Sequence, residues 1–224
     1  MRTGRTVAVL LSIVMLLVSF GERGAEAQAF QAEVGGGWAI PSSDVEMQGT
    51  SENGRKGTTP VDPGSGAHVY GAVGLVWTLS DNFDLGVRLR GQHSRMTGRF
   101  SNFDFSNELS GRLRSLTLEG QLVLTSVGRI NPYFLVGLGV IRTTVDGVLV
   151  TVSQNGQEDQ EIQFSAVNVT DAGGDVGFGA RTRLVGGLQL TAEMRATGSL
   201  PGAKDNAVMA FPFTLGLGYT FGTE

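Results

Sequence analysis

Two histidines, at positions 68 and 93, bound the side-chain chemistry open to this chain. Nucleophilic hydrolysis needs a hydroxyl or thiol, a base within hydrogen-bond reach and a group that orients the base. The run Gln92-His93-Ser94-Arg95 sets a base beside a hydroxyl, but neighbours along a strand point to opposite faces, so His93 and Ser94 would not share a site. By parity His93 looks outward, and both histidines read as rim residues rather than catalytic bases. Cysteine is absent, so two separated histidines leave no ligand set for a transition metal. The stretch 146–172 holds Glu158, Asp159 and Glu161 and no Lys or Arg. Such a loop could hold a divalent cation, yet its spacing matches no calcium loop and a solvated acidic loop is the simpler reading. No catalytic, cofactor or metal site is assigned.

A different set of charges stands out by its spacing. Glu33, Glu119, Asp175 and Glu193 on one hand, and Arg88, Arg90, Arg181, Arg183 and Arg195 on the other, all sit on the mixed parity of period-2 segments interleaved with Gly. In Phe83-Asp84-Leu85-Gly86-Val87-Arg88-Leu89-Arg90 the odd positions are apolar and the even ones carry the charge or Gly. Buried charges are tolerated only when paired and hydrogen-bonded, so such a set demands a closed structure that brings both signs together.

The elements that would do this are strands. Glycine contributes 34 of 224 residues, and at about 1 kcal/mol per helix position relative to Ala it argues against a helical domain. Charged residues make up only 17% and the net charge is −4, which excludes a basic nucleic-acid binder. Arg2 and Arg5, an apolar run from Val7 to Phe20 and Ala25-Glu26-Ala27 form the pattern of a cleaved signal peptide over 1–27, leaving one domain over 28–224. Without cysteine the exported chain has no disulfide framework. After residue 27 no apolar stretch approaches membrane-helix length, so a membrane protein here must be a closed barrel.

Eight period-2 segments follow, near 30–41, 68–79, 83–95, 113–126, 132–145, 173–184, 188–199 and 208–222. Short joints at Ser80-Asp81-Asn82, 127–131 and Gly186-Gly187 alternate with long ones at 42–67, 96–112, 146–172 and 200–207. Within 146–172, Val148, Val150 and Val152, then Ile162, Phe164 and Ala166, flank Gln154-Asn155-Gly156-Gln157 and predict a hairpin extending the fifth and sixth strands. Residues 49–66 are polar and Gly/Pro-rich, which predicts a mobile loop.

The parities separate a soluble ligand-binding barrel from a membrane barrel. A lipid-facing side must carry no charge at its midplane, where Arg or Lys costs about 2–4 kcal/mol. The last segment sets Phe211, Phe213, Leu215, Leu217, Tyr219 and Phe221 against Thr214, Gly216, Gly218, Thr220 and Gly222. A Gly/Thr side makes a poor water surface but a good lining for a narrow lumen, and small neighbours make room for the long arginines. Phe30, Trp77, Phe83, Tyr133, Phe134, Tyr219 and Phe221 fall at the short-turn end, as an interfacial aromatic girdle would. The segment Pro132–Arg142 is apolar on both parities, and Gly137 and Gly139 are placed inward because small residues suit a filled lumen.

Asn131-Pro132-Tyr133-Phe134-Leu135-Val136-Gly137-Leu138-Gly139-Val140 and the terminal Phe213–Gly222 resemble strands of small outer-membrane β-barrels of the OmpA transmembrane-domain and OmpX type. The resemblance implies an all-β, eight-stranded antiparallel up-and-down transmembrane barrel, with termini in the periplasm and long loops outside. It also implies contact with outer-membrane lipid and lipopolysaccharide, and insertion by the outer-membrane assembly machinery through the last strand. The family's last strand usually ends on its aromatic residue, whereas Phe221 is followed by Gly222-Thr223-Glu224, and nothing after residue 222 resembles a peptidoglycan-binding module. The expectation is a monomeric, non-enzymatic structural or surface-interaction protein, without cofactor, that meets an unidentified ligand through its loops. A lipid A-modifying enzyme, a small pore and a soluble ligand-binding barrel are the alternatives.

Overall fold

The computed structural model describes residues 29–42, 44–51, 54–62, 64–99, 108–125, 128–152, 160–200 and 209–222. The expected signal peptide over 1–27, and Glu158 and Asp159 of the acidic stretch, lie outside them. Twelve strands occupy the described chain. They are β1 (Ala29–Pro41), β2 (Val45–Ser51), β3 (Lys56–Val61), β4 (Gly66–Ser80), β5 (Phe83–Arg99), β6 (Glu108–Leu124), β7 (Ile130–Val145), β8 (Val148–Val152), β9 (Gln160–Phe164), β10 (Val167–Arg183), β11 (Leu188–Ser199) and β12 (Met209–Phe221).

Eight of these close into an antiparallel barrel in the order β1-β12-β11-β10-β7-β6-β5-β4. Closure comes from β1, which pairs with β4 on one side and β12 on the other, so no edge is left for unsatisfied backbone groups in lipid. The outer wall is apolar: Val34, Leu75, Leu89, Leu118, Phe134, Val136, Val176, Leu190, Leu215 and Leu217 are all exposed. The inner wall is polar at mid-height, where Arg90, Thr117, Glu119 and Arg195 are buried. This inverts a water-soluble protein and is the arrangement in which lipid covers the outside.

Toward the long-loop end the inner wall changes character. Met96, Leu109, Leu113, Ile141, Val145 and Val167 point inward there and are buried. They pack against a second, four-stranded sheet in the order β3-β2-β9-β8, whose Val45, Met47, Val61, Val150 and Phe164 complete one hydrophobic cluster. That cluster explains why β5, β6 and β10 run past their expected ends: the extra turns of strand carry the floor of this core. Strands β8 and β9 pair as the valine alternation predicts, with Val148 opposite Phe164 and Val150 opposite Ile162, but they join β2 and β3 in the second sheet instead of extending β7 and β10 within the barrel.

The expectation of a mobile loop at 49–66 is corrected. Val45–Ser51 and Lys56–Val61 pair as the antiparallel strands β2 and β3, with Gly54 between them at φ 74°, and Gly49–Ser51 pairs with Ile162–Phe164. The hairpin packs against residues far away in sequence, including Phe164 of β9, more than a hundred residues from β2, so local composition under-reports it.

Candidate functional site: the lumen and its rims

Arg88 is the centre of the lumen. It projects inward from β5 and reaches three carboxylates from three other strands: Nε to Glu119 Oε2 at 2.6 Å, Nη1 to Glu33 Oε2 at 3.2 Å and Nη2 to Glu193 Oε2 at 2.8 Å. Arg195 forms a second bridge, with Nη1 at 2.7 Å from Glu119 Oε1 and Nη2 at 2.6 Å from Glu193 Oε1, and Nη1 at 3.6 Å from Asp175 Oδ2. Arg90 Nη1 lies 3.1 Å from Glu193 Oε1 but is poorly aligned for a hydrogen bond. Its guanidinium stacks on Tyr70 at 3.4 Å from the ring centroid, and its Nε donates to Gln92 Oε1. All of these side chains are buried, so the attraction acts in a low-dielectric interior that repays desolvation only with good geometry.

Hydroxyls and amides complete the shell. The Tyr70 hydroxyl donates to Glu33 Oε1 at 2.5 Å, Thr191 donates to the same oxygen at 3.0 Å, and Tyr133 donates to Glu193 Oε2 at 3.1 Å. Asp175 accepts from Thr197 and from Gln92 Nε2. The tyrosines fit because glycines face them: a Cβ on Gly35 would lie 2.5 Å from Tyr70 Cε1, and one on Gly179 2.6 Å from Tyr133 Cζ. Strands from around the circumference are thus cross-linked through the axis, and the lumen is plugged.

Two sequence assignments are corrected. Tyr133, expected in the aromatic girdle, points into the lumen and is 1% exposed. Arg183, expected in the charge network, is exposed at the short-turn end, because it is the last residue of β10 and the wall stops there. Arg181 does stay inside, but apart from the central cluster, paired with Asp84 at 3.3 Å. Both arginines line a mouth of about 620 Å³ with Asp84, Arg129, Asn131 and Gln189. The other aromatics lie on the outer wall: Phe30, Phe83, Phe134, Tyr219 and Phe221 are exposed and Trp77 is half-buried, with Phe221 5.7 Å from Phe30 and 4.6 Å from Tyr219 between ring centroids.

The histidines divide. His93 faces outward on β5, whereas His68, expected at a rim, is buried in the lumen, with Nδ1 2.8 Å from Ser94 Oγ. This Ser–His contact was hidden from the sequence because the partners lie on different strands. At 1% and 0% exposure the pair is packed within the lumen. Among the described residues no group of His, Asp and Glu is arranged to hold a metal ion.

The chain matches the family described as the outer membrane protein beta-barrel domain over residues 10–221. No curated protein sequence matches it. Among solved structures it is similar to a major outer membrane protein from Thermus thermophilus, with 14% identity and a TM-score of 0.51, over 88% of this chain and 100% of that one. It is also similar to Neisserial surface protein A, with 15% identity and a TM-score of 0.49 over 89% and 100% of the two chains. OprG from Pseudomonas aeruginosa is similar at 14% identity and 0.44 over 89% and 99%. At these identities the likeness is one of fold.

Proposed function

The chain belongs to the outer membrane protein beta-barrel family, and from that premise we propose that this integral outer-membrane barrel works by display, holding a folded platform at the cell surface. The observation that carries the reading is the union of a plugged lumen with the β3-β2-β9-β8 sheet, fused to the barrel through a common apolar core. A narrow eight-stranded lumen filled by paired charges does not serve as a solute channel. A rigid sheet projected from it can present an edge. Strand β3 is blunted by Pro60 and Lys56, whereas β8 (Val-Leu-Val-Thr-Val) carries neither Pro nor charge and, among the described residues, pairs with β9 alone. Strand addition at β8 is the mode of recognition this arrangement favours.

In this reading the signal peptide over 1–27 is removed, the termini lie in the periplasm, the long loops lie outside, and the last strand addresses the assembly machinery. The barrel is a monomer without enzymatic activity, and lipopolysaccharide surrounds its outer half. The test replaces residues 148–164 with a short Gly/Asn turn. The barrel should still show heat-dependent gel mobility, while any surface-binding phenotype of cells that carry it should be lost. Retained binding would refute display by this hairpin, and altered lipid A mass on expression would point to an enzyme instead.

A further inference from the structure

Among the described residues of the barrel strands, outward-facing positive charge gathers in one sector. Ladder register runs Val69–His93–Arg114–Arg142–Thr170 across β4, β5, β6, β7 and β10, and one step nearer the loops it runs Ala67–Arg95–Arg112–Thr144–Asn168. Arg114 therefore lies directly opposite both His93 and Arg142, and Arg95 directly opposite Arg112. Like charges directly opposite on one face of a sheet are destabilising, so such a row calls for a counter-charge. Among the described side chains little is supplied: Arg112 is paired with Asp146 at 3.1 Å, Arg142 Nε donates to the neutral Asn168 at 3.1 Å, and Arg95 and Arg114 are exposed.

The position of the row says what completes it. One ladder step toward the short-turn end, the same strands present Leu116 and Val140, 55% and 53% exposed, and the next step presents Leu89, Leu118 and Leu138. The arginines thus begin where the lipid-facing band stops, at the height of headgroups and on the loop side. Guanidinium forks suit phosphate oxygens, which they bind in bidentate fashion, and a basic patch beside a membrane surface attracts anionic lipid. The neighbouring sectors on the same ladder rows carry Val69, Ala67, Thr170 and Asn168 in place of charge.

Resting on the outer-membrane reading, we propose that His93, Arg95, Arg112, Arg114 and Arg142 form a docking site for the phosphate groups of an outer-leaflet lipid, whose acyl chains lie along Leu116, Leu118 and Val140. The experiment uses the full chain folded in zwitterionic detergent, with native mass spectrometry after addition of diphosphoryl lipid A or its dephosphorylated form. The wild type should retain the diphosphoryl lipid at least tenfold better. Arg114→Gln/Arg142→Gln should abolish that preference, and Arg129→Gln, a charge removed at the opposite end, should leave it intact.

Equal retention of the two lipids by the wild type would overturn the proposal even if the double variant fails to fold, and so would an unchanged preference in a folded double variant. Displacement of the lipid by millimolar inorganic phosphate would overturn the lipid as the source of the anion. A wild-type chain that never shows a heat-modified band would instead refute the barrel reading itself, which separates the two failures.

Discussion

Substituting Arg88→Met removes one guanidinium that contacts three carboxylates, and the consequences differ for each. Glu119 and Glu193 keep Arg195 at 2.7 and 2.6 Å, but Glu33 is left with only the Tyr70 and Thr191 hydroxyls. Breaking a buried pair by removing one partner costs about 3–5 kcal/mol, because the other charge stays buried without compensation. At 1.4 kcal/mol per tenfold that is a shift of roughly two to nearly four orders of magnitude in the folded-to-unfolded ratio. Urea unfolding from detergent micelles, followed by tryptophan fluorescence and by the heat-modified band, reads it directly. The double variant Arg88→Met/Glu33→Gln should regain part of the loss, since the orphaned charge is gone while Tyr70 and Thr191 keep a partner. A loss below about 1 kcal/mol for Arg88→Met, the value expected of a solvated surface pair, would refute the claim that the cluster sits in a closed, low-dielectric lumen. Failure of the double variant to recover would refute the assignment of the loss to Glu33.

Leu215→Arg places a charge in the lipid-facing band and should destabilise the barrel by about 2–4 kcal/mol in liposome refolding, whereas Thr170→Arg, beside the basic rim, should cost less. Gly179→Val sets a side chain against the Tyr133 ring, so it should lower the unfolding midpoint and lose the Tyr133–Glu193 hydrogen bond, and Gly179→Val/Tyr133→Ala should be milder than the sum of the two single changes. Met47→Ala opens a cavity in the core beneath the loop-end sheet and should cost about 2–5 kcal/mol there, seen as faster trypsin cleavage at Arg55 or Lys56 with the heat-modified barrel band unchanged. Planar-bilayer recordings of the wild type should show no steady conductance, and Arg88→Ala/Glu119→Ala should introduce one.

The faces of the strands were legible because lipid enforces a simple rule: a charged parity cannot face the bilayer midplane, so Arg88, Arg90, Glu119 and Arg195 had to share the lumen. Tyr133 was not legible by that rule, since a tyrosine suits either a membrane interface or a hydrogen-bonded interior, and β7 is apolar on both parities, whereas Tyr70 shares the inward parity of Ala72 and Gly74. The position of Tyr133 was encoded instead in Gly179 on the neighbouring strand, a pattern visible only once the register is known. Arg183 has the inward parity of Arg181 but lies at the end of its strand, where parity no longer decides burial. The β2–β3 hairpin and the His68–Ser94 contact share a cause: each depends on a partner far away in sequence. The row of outward arginines was present in the sequence as Arg95, Arg112, Arg114 and Arg142, but its alignment required the ladders.

The account rests on which side of the wall meets lipid, and the absence of cysteine makes that directly measurable. Single cysteines at Leu89, Leu118, Val136 and Leu215, and at Thr117 and Thr191, are spin-labelled after refolding into liposomes and probed with oxygen and a water-soluble nickel chelate. Labels at the first four positions should be highly accessible to oxygen and protected from nickel, while those at Thr117 and Thr191 should react poorly or be immobilised and reached by neither reagent. Nickel access at Leu89, Leu118, Val136 and Leu215 comparable to that in free water would contradict the inverted barrel.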